Sequence, residues 1–271
     1  MRLGISSYTF VWSVGVPGYP QPREPLTAEG LLHKAAELGV GVVQIADNLP
    51  LHRLSSKQVD ALAGLAGEMG ISMEVGTSGI GPEHLRTYVK LAERLQSPIV
   101  RVVIDTADSE PTIDEVVESL HQVLLDFSRA NVHLAIENHD RFTAAMLAQI
   151  IERCRGHNVG ICLDTANSIG CGEDVSTLLR TLGPWIVNVH MKDYCAPRLP
   201  HKKGFIIEGC PAGQGILDIP QLLNDVSRFG RDPNVILELW PAPEPTIEQS
   251  MAKENEWTHE SVRYLRQFIA N

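Results

Sequence analysis

Short apolar segments alternate with amphipathic segments along the whole chain, and the pattern repeats about every 30 residues. The apolar segments are four to six residues long and rich in β-branched side chains. Nearly continuous hydrophobicity over such short runs is typical of strands that are buried on both faces of a parallel sheet. The pattern therefore predicts eight strands, at Leu3–Ser6, Val42–Ile45, Ser72–Val75, Ile99–Ile104, His133–Glu137, Val159–Leu163, Ile186–His190 and Val235–Leu239.

The amphipathic segments between these strands carry the start and stop signals of helices. Thr27 and Ser55 precede apolar residues at helical spacing, and Gly39 and Gly70 follow the last predicted turns. The predicted helices begin at Thr27, Ser55, Pro82, Thr112, Thr143, Glu173, Asp218 and Thr246. Eight alternating βα units predict a (β/α)8 TIM barrel. No linker or shift in composition interrupts them, so we expect a single domain over residues 1–271.

Composition and charge exclude several classes of function. The chain has 23 basic and 33 acidic residues, whereas proteins that bind nucleic-acid backbones usually have a basic excess, so we expect no nucleic-acid partner. No apolar run approaches the roughly 18 residues of a membrane span, and the first ten residues lack the order of a signal peptide. Five cysteines without a C-x-x-C pair indicate reduced thiols. These features predict a cytoplasmic protein with no membrane partner.

Four side chains that can bind a metal fall at the carboxyl ends of four consecutive predicted strands: Glu137, Asp164, His190 and Glu238. Barrel enzymes carry their chemistry at this rim. Each acid alone is more often a helix cap or an ion-pair partner, but three carboxylates on adjacent strands would repel one another strongly without a cation. Three oxygen ligands and one imidazole suit Mn²⁺, Mg²⁺ or Co²⁺, while Zn²⁺ usually prefers more nitrogen or sulfur. The four residues predict a site for one divalent metal ion.

Five segments around these residues resemble the xylose isomerase-like barrel superfamily: IENHDRF (136–142), LDTAN (163–167), VHMKD (189–193), GQGILDIPQLL (213–223) and ILELW (236–240). The resemblance covers essentially the whole chain. It implies a TIM barrel in which Glu137, Asp164, His190 and Glu238 bind one divalent ion, Mn²⁺ foremost. It also implies that Glu137 and Glu238 carry protons to and from carbon. Barrels of this family are often dimers or tetramers, so a homo-oligomer is expected on the same basis.

The resemblance implies an enzyme of carbohydrate catabolism that acts on a small open-chain keto-sugar or sugar acid through a metal-stabilised enediolate. The first hypothesis is a sugar isomerase or epimerase. The alternative is a lyase, either a decarboxylase of a 3-oxo sugar acid of the 3-oxo-isoapionate type or a dehydratase. Two departures from the ketose epimerase pattern weaken the epimerase hypothesis. Thr143 stands where those enzymes carry a further Glu, and Asn167 stands where they tend to carry His.

Several further side chains are candidates for substrate binding. Lys192 follows His190 by two residues and offers a cation for a substrate carboxylate, with a rim ion pair as the alternative. His139 and Asn167 follow metal-ligand candidates closely enough to reach the same rim. Trp12 and Trp240 follow the first and last strands, where they either face the C–H groups of a sugar or pack together.

Two other classes of function are weaker. An apurinic endonuclease needs several additional histidine ligands at strand ends, but the second and third strands carry Gln44 and Glu74 there, and the net charge is −10. Gln44 and Glu74 are equally consistent with structural hydrogen bonding. A barrel that only binds sugar would not require the complete set of four metal ligands.

Overall fold

The computed structural model describes residues 1–156 and 158–269. Within these residues the chain forms ten strands, β1 (Leu3–Ser6), β2 (Val42–Ile45), β3 (Ser72–Ser78), β4 (Ile99–Val103), β5 (His133–Glu137), β6 (Val159–Asp164), β7 (Ile186–Met191), β8 (Asp193–Cys195), β9 (Glu208–Cys210) and β10 (Asn234–Leu237). Strands β1–β7 and β10 pair in parallel and close a barrel in the order β1-β10-β7-β6-β5-β4-β3-β2. The predicted (β/α)8 barrel is confirmed.

Ten α-helices connect the strands in the described part of the chain: α1 (Val11–Val14), α2 (Ala28–Leu38), α3 (Ser56–Met69), α4 (Pro82–Leu95), α5 (Ile113–His121), α6 (Leu124–Ala130), α7 (Ala144–Arg153), α8 (Val175–Leu182), α9 (Ile219–Arg228) and α10 (Ile247–Leu265). Their apolar faces pack on the barrel and form one core between the helix layer and the sheet. None of them is long and apolar enough to cross a membrane.

The predicted helix starts agree with the structure because their side chains cap free backbone N–H groups. Six predicted N-caps accept a hydrogen bond from the first turn: Thr27, Ser55, Thr112, Thr143, Asp218 and Thr246. The predicted start at Glu173 is wrong by one residue. Asp174 is the cap of α8, because its shorter side chain reaches the N–H of Thr177, whereas Glu173 reaches across to the N–H of Ala144.

The long connection between β7 and β10 contains two short strands of its own. Strands β8 and β9 pair antiparallel and form a hairpin beside the rim. The carboxylate of Asp193 accepts hydrogen bonds from the backbone N–H groups of Gly213 and Gly215, both at 2.9 Å. Asp193 and the Tyr194 carbonyl leave no room for a Cβ at Gly215, which explains the second glycine of the GQG segment.

Polar side chains fill the carboxyl-terminal part of the barrel interior, where the apolar strand pattern alone would predict aliphatic packing. The strand register sets Gln44 beside Glu74 and Asp164 beside His190. Glu238 follows the last residue of β10, and its N–H donates to the Met191 carbonyl, which extends the pairing by one residue. The register therefore brings polar side chains from five strands into one part of the barrel interior.

Candidate active site

The four side chains expected to bind a metal lie together and are buried at the carboxyl-terminal rim. His190 is at the centre of the group. Its Nδ1 atom lies 3.1 Å from Glu137 Oε2, 3.4 Å from Glu238 Oε1 and 3.9 Å from Asp164 Oδ2. Residues as far apart in sequence as Glu137 and Glu238 therefore share one small polar space.

Two of these carboxylates are fixed through one oxygen only. Asp164 Oδ1 accepts hydrogen bonds from the backbone N–H groups of Ala166 and Asn167, each at 2.8 Å. Glu238 Oε1 accepts a hydrogen bond from the Ser6 hydroxyl at 2.9 Å. The second oxygen of each group, Asp164 Oδ2 and Glu238 Oε2, is buried and has no hydrogen-bond partner among the described residues. The protein orients both carboxylates and leaves one oxygen of each facing the site.

Two cations lie against the buried acids. Lys192 Nζ is 2.8 Å from Asp164 Oδ2 and 3.0 Å from Glu238 Oε2, at angles outside those of a hydrogen bond. Arg101 pairs through Nε with Glu137, and its Nη1 donates to Asp47 at 2.8 Å. The buried acids therefore have cationic partners from this chain itself, which reduces the repulsion that the sequence suggested.

Arg101 was not predicted from the sequence, because the pattern of metal-ligand candidates concerns strand ends only. It lies in the middle of β4, in the segment Ile-Val-Arg-Val-Val, and is 3% exposed. A single arginine inside an otherwise apolar buried strand was the available signal, since charged side chains are almost never fully buried without a partner.

The charges of the site shift the pKa values of its members. Burial raises the pKa of Glu137, but the Arg101 and His190 charges outweigh burial and hold that pKa well below its usual range. For Glu238, His190 and Lys192 outweigh burial and lower the pKa. Burial disfavours the ammonium of Lys192, yet Asp164 and Glu238 raise its pKa above the ordinary lysine value. Glu137 and Glu238 are therefore ionised, and Lys192 is an ammonium, near neutral pH.

The side chains of Asp164, His190 and Glu238 are suited to hold a divalent ion. Asp164 Oδ2, His190 Nδ1 and Glu238 Oε2 are buried atoms without a hydrogen-bond partner in the described part of the chain. Asp164, His190 and Glu238 each offer one ligand atom, and these atoms lie within 4.8 Å of one another. Both oxygens of Glu137 have partners, since Oε1 accepts from Asn167 at 2.8 Å and Oε2 faces Arg101. Asp164, His190 and Glu238 thus form the best-prepared part of the expected four-ligand set.

A cavity of about 480 Å³ borders this group and is lined by Glu137, Glu238 and Lys192, among others. Its wall carries six carboxylates but only three lysine or arginine side chains: Asp47, Asp105, Glu110, Glu137, Asp140 and Glu238 against Arg101, Arg141 and Lys192. The Arg141 guanidinium is engaged, because it donates two hydrogen bonds to Asp105. The lining has an excess of negative charge, which favours binding of a further cation.

The expected substrate contacts divide into two groups. Lys192 and His139 line the cavity, and Asn167 donates to Glu137 at 2.8 Å and faces Lys192 Nζ at 3.4 Å. Trp12 packs away from the cavity, because its backbone N–H donates to Glu254 of α10 and its indole N–H donates to the Pro241 carbonyl. Trp240 lies beside Gly209 of the hairpin and is 37% exposed.

Tyr8 supplies an aromatic ring to the cavity wall instead of the two tryptophans. Its hydroxyl donates to Asp47 at 3.0 Å, and the Arg101 guanidinium lies 5.8 Å from its ring centre. Burial raises the pKa of Tyr8, so it stays a neutral hydrogen-bond donor. Tyr8, Asp47 and Arg101 thus form a connected part of the cavity wall.

Comparison with known proteins agrees with this architecture. A family model described as the xylose isomerase-like TIM barrel matches residues 32–268. The chain is 31% identical over 267 residues to a 3-oxo-isoapionate decarboxylase of Pectobacterium atrosepticum, covering 98% of this chain and 95% of that protein.

Solved structures show the same fold at low identity. A D-psicose 3-epimerase with D-tagatose from Clostridium cellulolyticum H10 is 16% identical with a TM-score of 0.74, covering 99% of both chains. A xylose isomerase-like TIM barrel protein of Mycobacterium smegmatis in complex with magnesium is 13% identical with a TM-score of 0.72, covering 97% of both chains. The chain therefore belongs to the xylose isomerase-like TIM-barrel family.

Proposed function

We propose that the protein is a lyase that removes CO₂ from a small 3-oxo sugar acid. The observation that carries this proposal is the Lys192 ammonium, which lies inside the cavity between Asp164 and Glu238. The similarity over nearly the full chain to a 3-oxo-isoapionate decarboxylase supports the same reaction and suggests 3-oxo-isoapionate or a close analogue as the substrate. Thr143 and Asn167, at which the sequence departs from the ketose epimerase pattern, also favour a lyase.

We propose in addition that a divalent ion, Mn²⁺ or Mg²⁺, is the cofactor and is held by Asp164, His190 and Glu238, with Glu137 beside them. When bound, the ion supplies positive charge that stabilises a developing enolate oxygen. The excess of carboxylates in the cavity supports this, because an anionic substrate would otherwise enter a negative site.

The reaction requires cleavage of one C–C bond and delivery of one proton. The bond between the substrate carboxyl carbon and its neighbour breaks, CO₂ leaves, and the electron pair moves into the adjacent ketone as an enolate. The negative charge of the carboxylate thus moves to the ketone oxygen. A proton then adds to the carbon that lost CO₂, and the product is a ketone. No base is needed for the first step, which suits a site where both glutamates are already ionised.

Lys192 is the proposed proton donor. An enolate is a much stronger base than an amine, so an ammonium can protonate it even though its neighbours raise the pKa of Lys192. The Lys192 side chain is 14% exposed, and the resulting amine can recover its proton from water in the cavity. Arg101 has a supporting role, because it neutralises Glu137 and orders the wall that carries Tyr8 and Asp47.

Epimerisation of a ketose is the second candidate. Two carboxylates, Glu137 and Glu238, flank His190 and line the same cavity, which is the arrangement needed to remove a proton on one side of a carbon and return it on the other. This reaction needs one of the two glutamates to be protonated when the other removes the proton from carbon. The lowered pKa values of both make that arrangement harder to reach than decarboxylation.

Product analysis with the purified chain tests the proposal. The protein is incubated with Mn²⁺ and either 3-oxo-isoapionate or a panel of ketoses, and the products are followed by CO₂ release and mass spectrometry. We expect loss of CO₂ from the sugar acid, no reaction in Lys192→Met, and an unchanged rate in Lys203→Met, which removes an exposed lysine on the hairpin loop. A new ketose of unchanged mass, with no CO₂ from the acid, would favour the epimerase instead. Asp164→Asn tests the metal separately, because it should lower Mn²⁺ binding.

A further inference from the structure

A second polar cluster lies below the active site and is not used by the proposed reaction. Its centre is the carboxyl group of Glu74, which is 1% exposed. Three side-chain amides donate to it: Gln44 Nε2 at 3.0 Å, Asn188 Nδ2 at 2.9 Å and Asn234 Nδ2 at 2.7 Å. Gln44 connects this cluster to the site, because its Oε1 lies 2.7 Å from His190 Nε2.

The Glu74 carboxyl group decides which way the Gln44 amide points. Glu74 Oε2 accepts hydrogen bonds from both Gln44 and Asn188, so a flipped Gln44 would turn its own oxygen toward that acceptor. A flip would also set the Gln44 oxygen against Asn188 Oδ1, which Gln44 Nε2 contacts at 3.1 Å. Asn188 is fixed in turn, since its Oδ1 also accepts from the Cys162 thiol at 3.4 Å. The Gln44 oxygen therefore faces His190.

We propose that Gln44, held by Glu74, is a positioning residue that keeps a hydrogen on His190 Nε2 and directs Nδ1 toward the carboxylates. Only a donor can face the Gln44 oxygen at 2.7 Å, so Nε2 carries a hydrogen whether the ring is neutral or protonated. In the neutral ring the lone pair is then on Nδ1, the atom that lies 3.1–3.9 Å from the three acids.

This arrangement prepares His190 as a ligand before any ion arrives. A neutral imidazole has two tautomers, and only the one with its hydrogen on Nε2 offers Nδ1 to a metal. Groups that hydrogen-bond the far nitrogen of a ligating histidine fix its orientation and its tautomer, and their removal typically lowers metal affinity about 10–100-fold. Gln44 is such a group here, and Glu74 acts one step further away, through Gln44.

Nitrogen NMR of the full-length, metal-free protein tests the tautomer directly. Long-range ¹H–¹⁵N spectra of histidine rings distinguish the protonated from the unprotonated nitrogen, and the His190 signals are assigned by their loss in His190→Gln. Glu238 and Glu137 outweigh burial and raise the pKa of His190, so the spectra are recorded up to a pH at which the ring is neutral. We expect the neutral wild-type ring to show hydrogen on Nε2. Gln44→Met removes the acceptor and should add the tautomer with hydrogen on Nδ1.

Mn²⁺ titration of the same proteins provides the second measurement. Gln44→Met should weaken Mn²⁺ binding by about 10-fold or more. Asn234→Ala is the matched control, because it removes a 2.7 Å hydrogen bond from Glu74 but leaves the contact between Gln44 and His190 in place. Its Mn²⁺ affinity should be unchanged.

The outcomes separate this proposal from the proposed function. A neutral wild-type ring with hydrogen on Nδ1 would overturn the role of Gln44, and this result does not require any variant to fold. An unchanged tautomer in Gln44→Met, with unchanged Mn²⁺ affinity, would overturn it as well. Failure of the wild type to bind Mn²⁺ would instead contradict the metal-dependent function, while the NMR spectra would still decide the role of Gln44.

Discussion

Replacement of Lys192 by methionine removes the ammonium that lies between two buried carboxylates. Lys192 Nζ is 2.8 Å from Asp164 and 3.0 Å from Glu238, and both carboxylate side chains are fully buried. At an effective dielectric constant of 20, each contact contributes an attraction of about 6 kcal/mol. Desolvation of the three groups offsets much of this, so we expect the variant to lose about 3–5 kcal/mol of unfolding free energy.

The assay is urea denaturation in buffer without divalent ions, with Lys203→Met as the control. Lys203 is exposed, so its replacement should change the unfolding free energy by less than about 0.5 kcal/mol. A loss of the expected size in Lys192→Met corresponds to a decrease in Tm on the order of 10 °C.

Addition of Mn²⁺ extends the same experiment. A divalent ion would replace the missing positive charge, so Mn²⁺ should raise the stability of Lys192→Met more than that of the wild type. Decarboxylation should stay absent in the variant even where Mn²⁺ restores its stability, because the proton donor is missing. A Lys192→Met protein as stable as the wild type without metal would refute the electrostatic reasoning. Full decarboxylase activity in that variant would refute the role in catalysis.

Three further changes test other parts of the structure. Arg101→Met should lower the unfolding free energy by about 3–5 kcal/mol and reduce turnover, because it leaves Glu137 without its buried partner. Arg101→Lys should recover only part of the stability and part of the rate, as measured by denaturation and by turnover. Burial raises the pKa of Glu254 to about 7, so the folded state binds its proton more tightly than the unfolded state. Stability should therefore fall by up to about 3 kcal/mol as pH rises from about 4.5 to 7, and urea denaturation across this range should show a flatter profile for Glu254→Gln. Gly215→Ala should destabilise the protein by about 1–3 kcal/mol in the same assay, because a Cβ there has no room beside Asp193. An unchanged urea midpoint would show that the backbone around Gly215 shifts without cost.

The sequence by itself determined the barrel and the place of its four metal-ligand candidates. Strand and helix periods are local properties, and a parallel barrel puts every strand end at one rim, so strand-end residues such as Glu137 and His190 had to meet. Helix starts at residues such as Thr112 followed from capping chemistry, which is also local.

Only the tertiary structure decided how the charges of the site are balanced and where the aromatic residues lie. Arg101 reaches Glu137 because β4 and β5 are neighbours in the barrel, and no spacing in the sequence gives that contact. Trp12 turns away because α10 supplies Glu254 from more than 240 residues along the chain. The orientation of His190 depends on Gln44 and Glu74, which the barrel closure brings beneath it from two other strands. Such contacts join distant segments, and their energies depend on burial and distance, which local sequence does not encode.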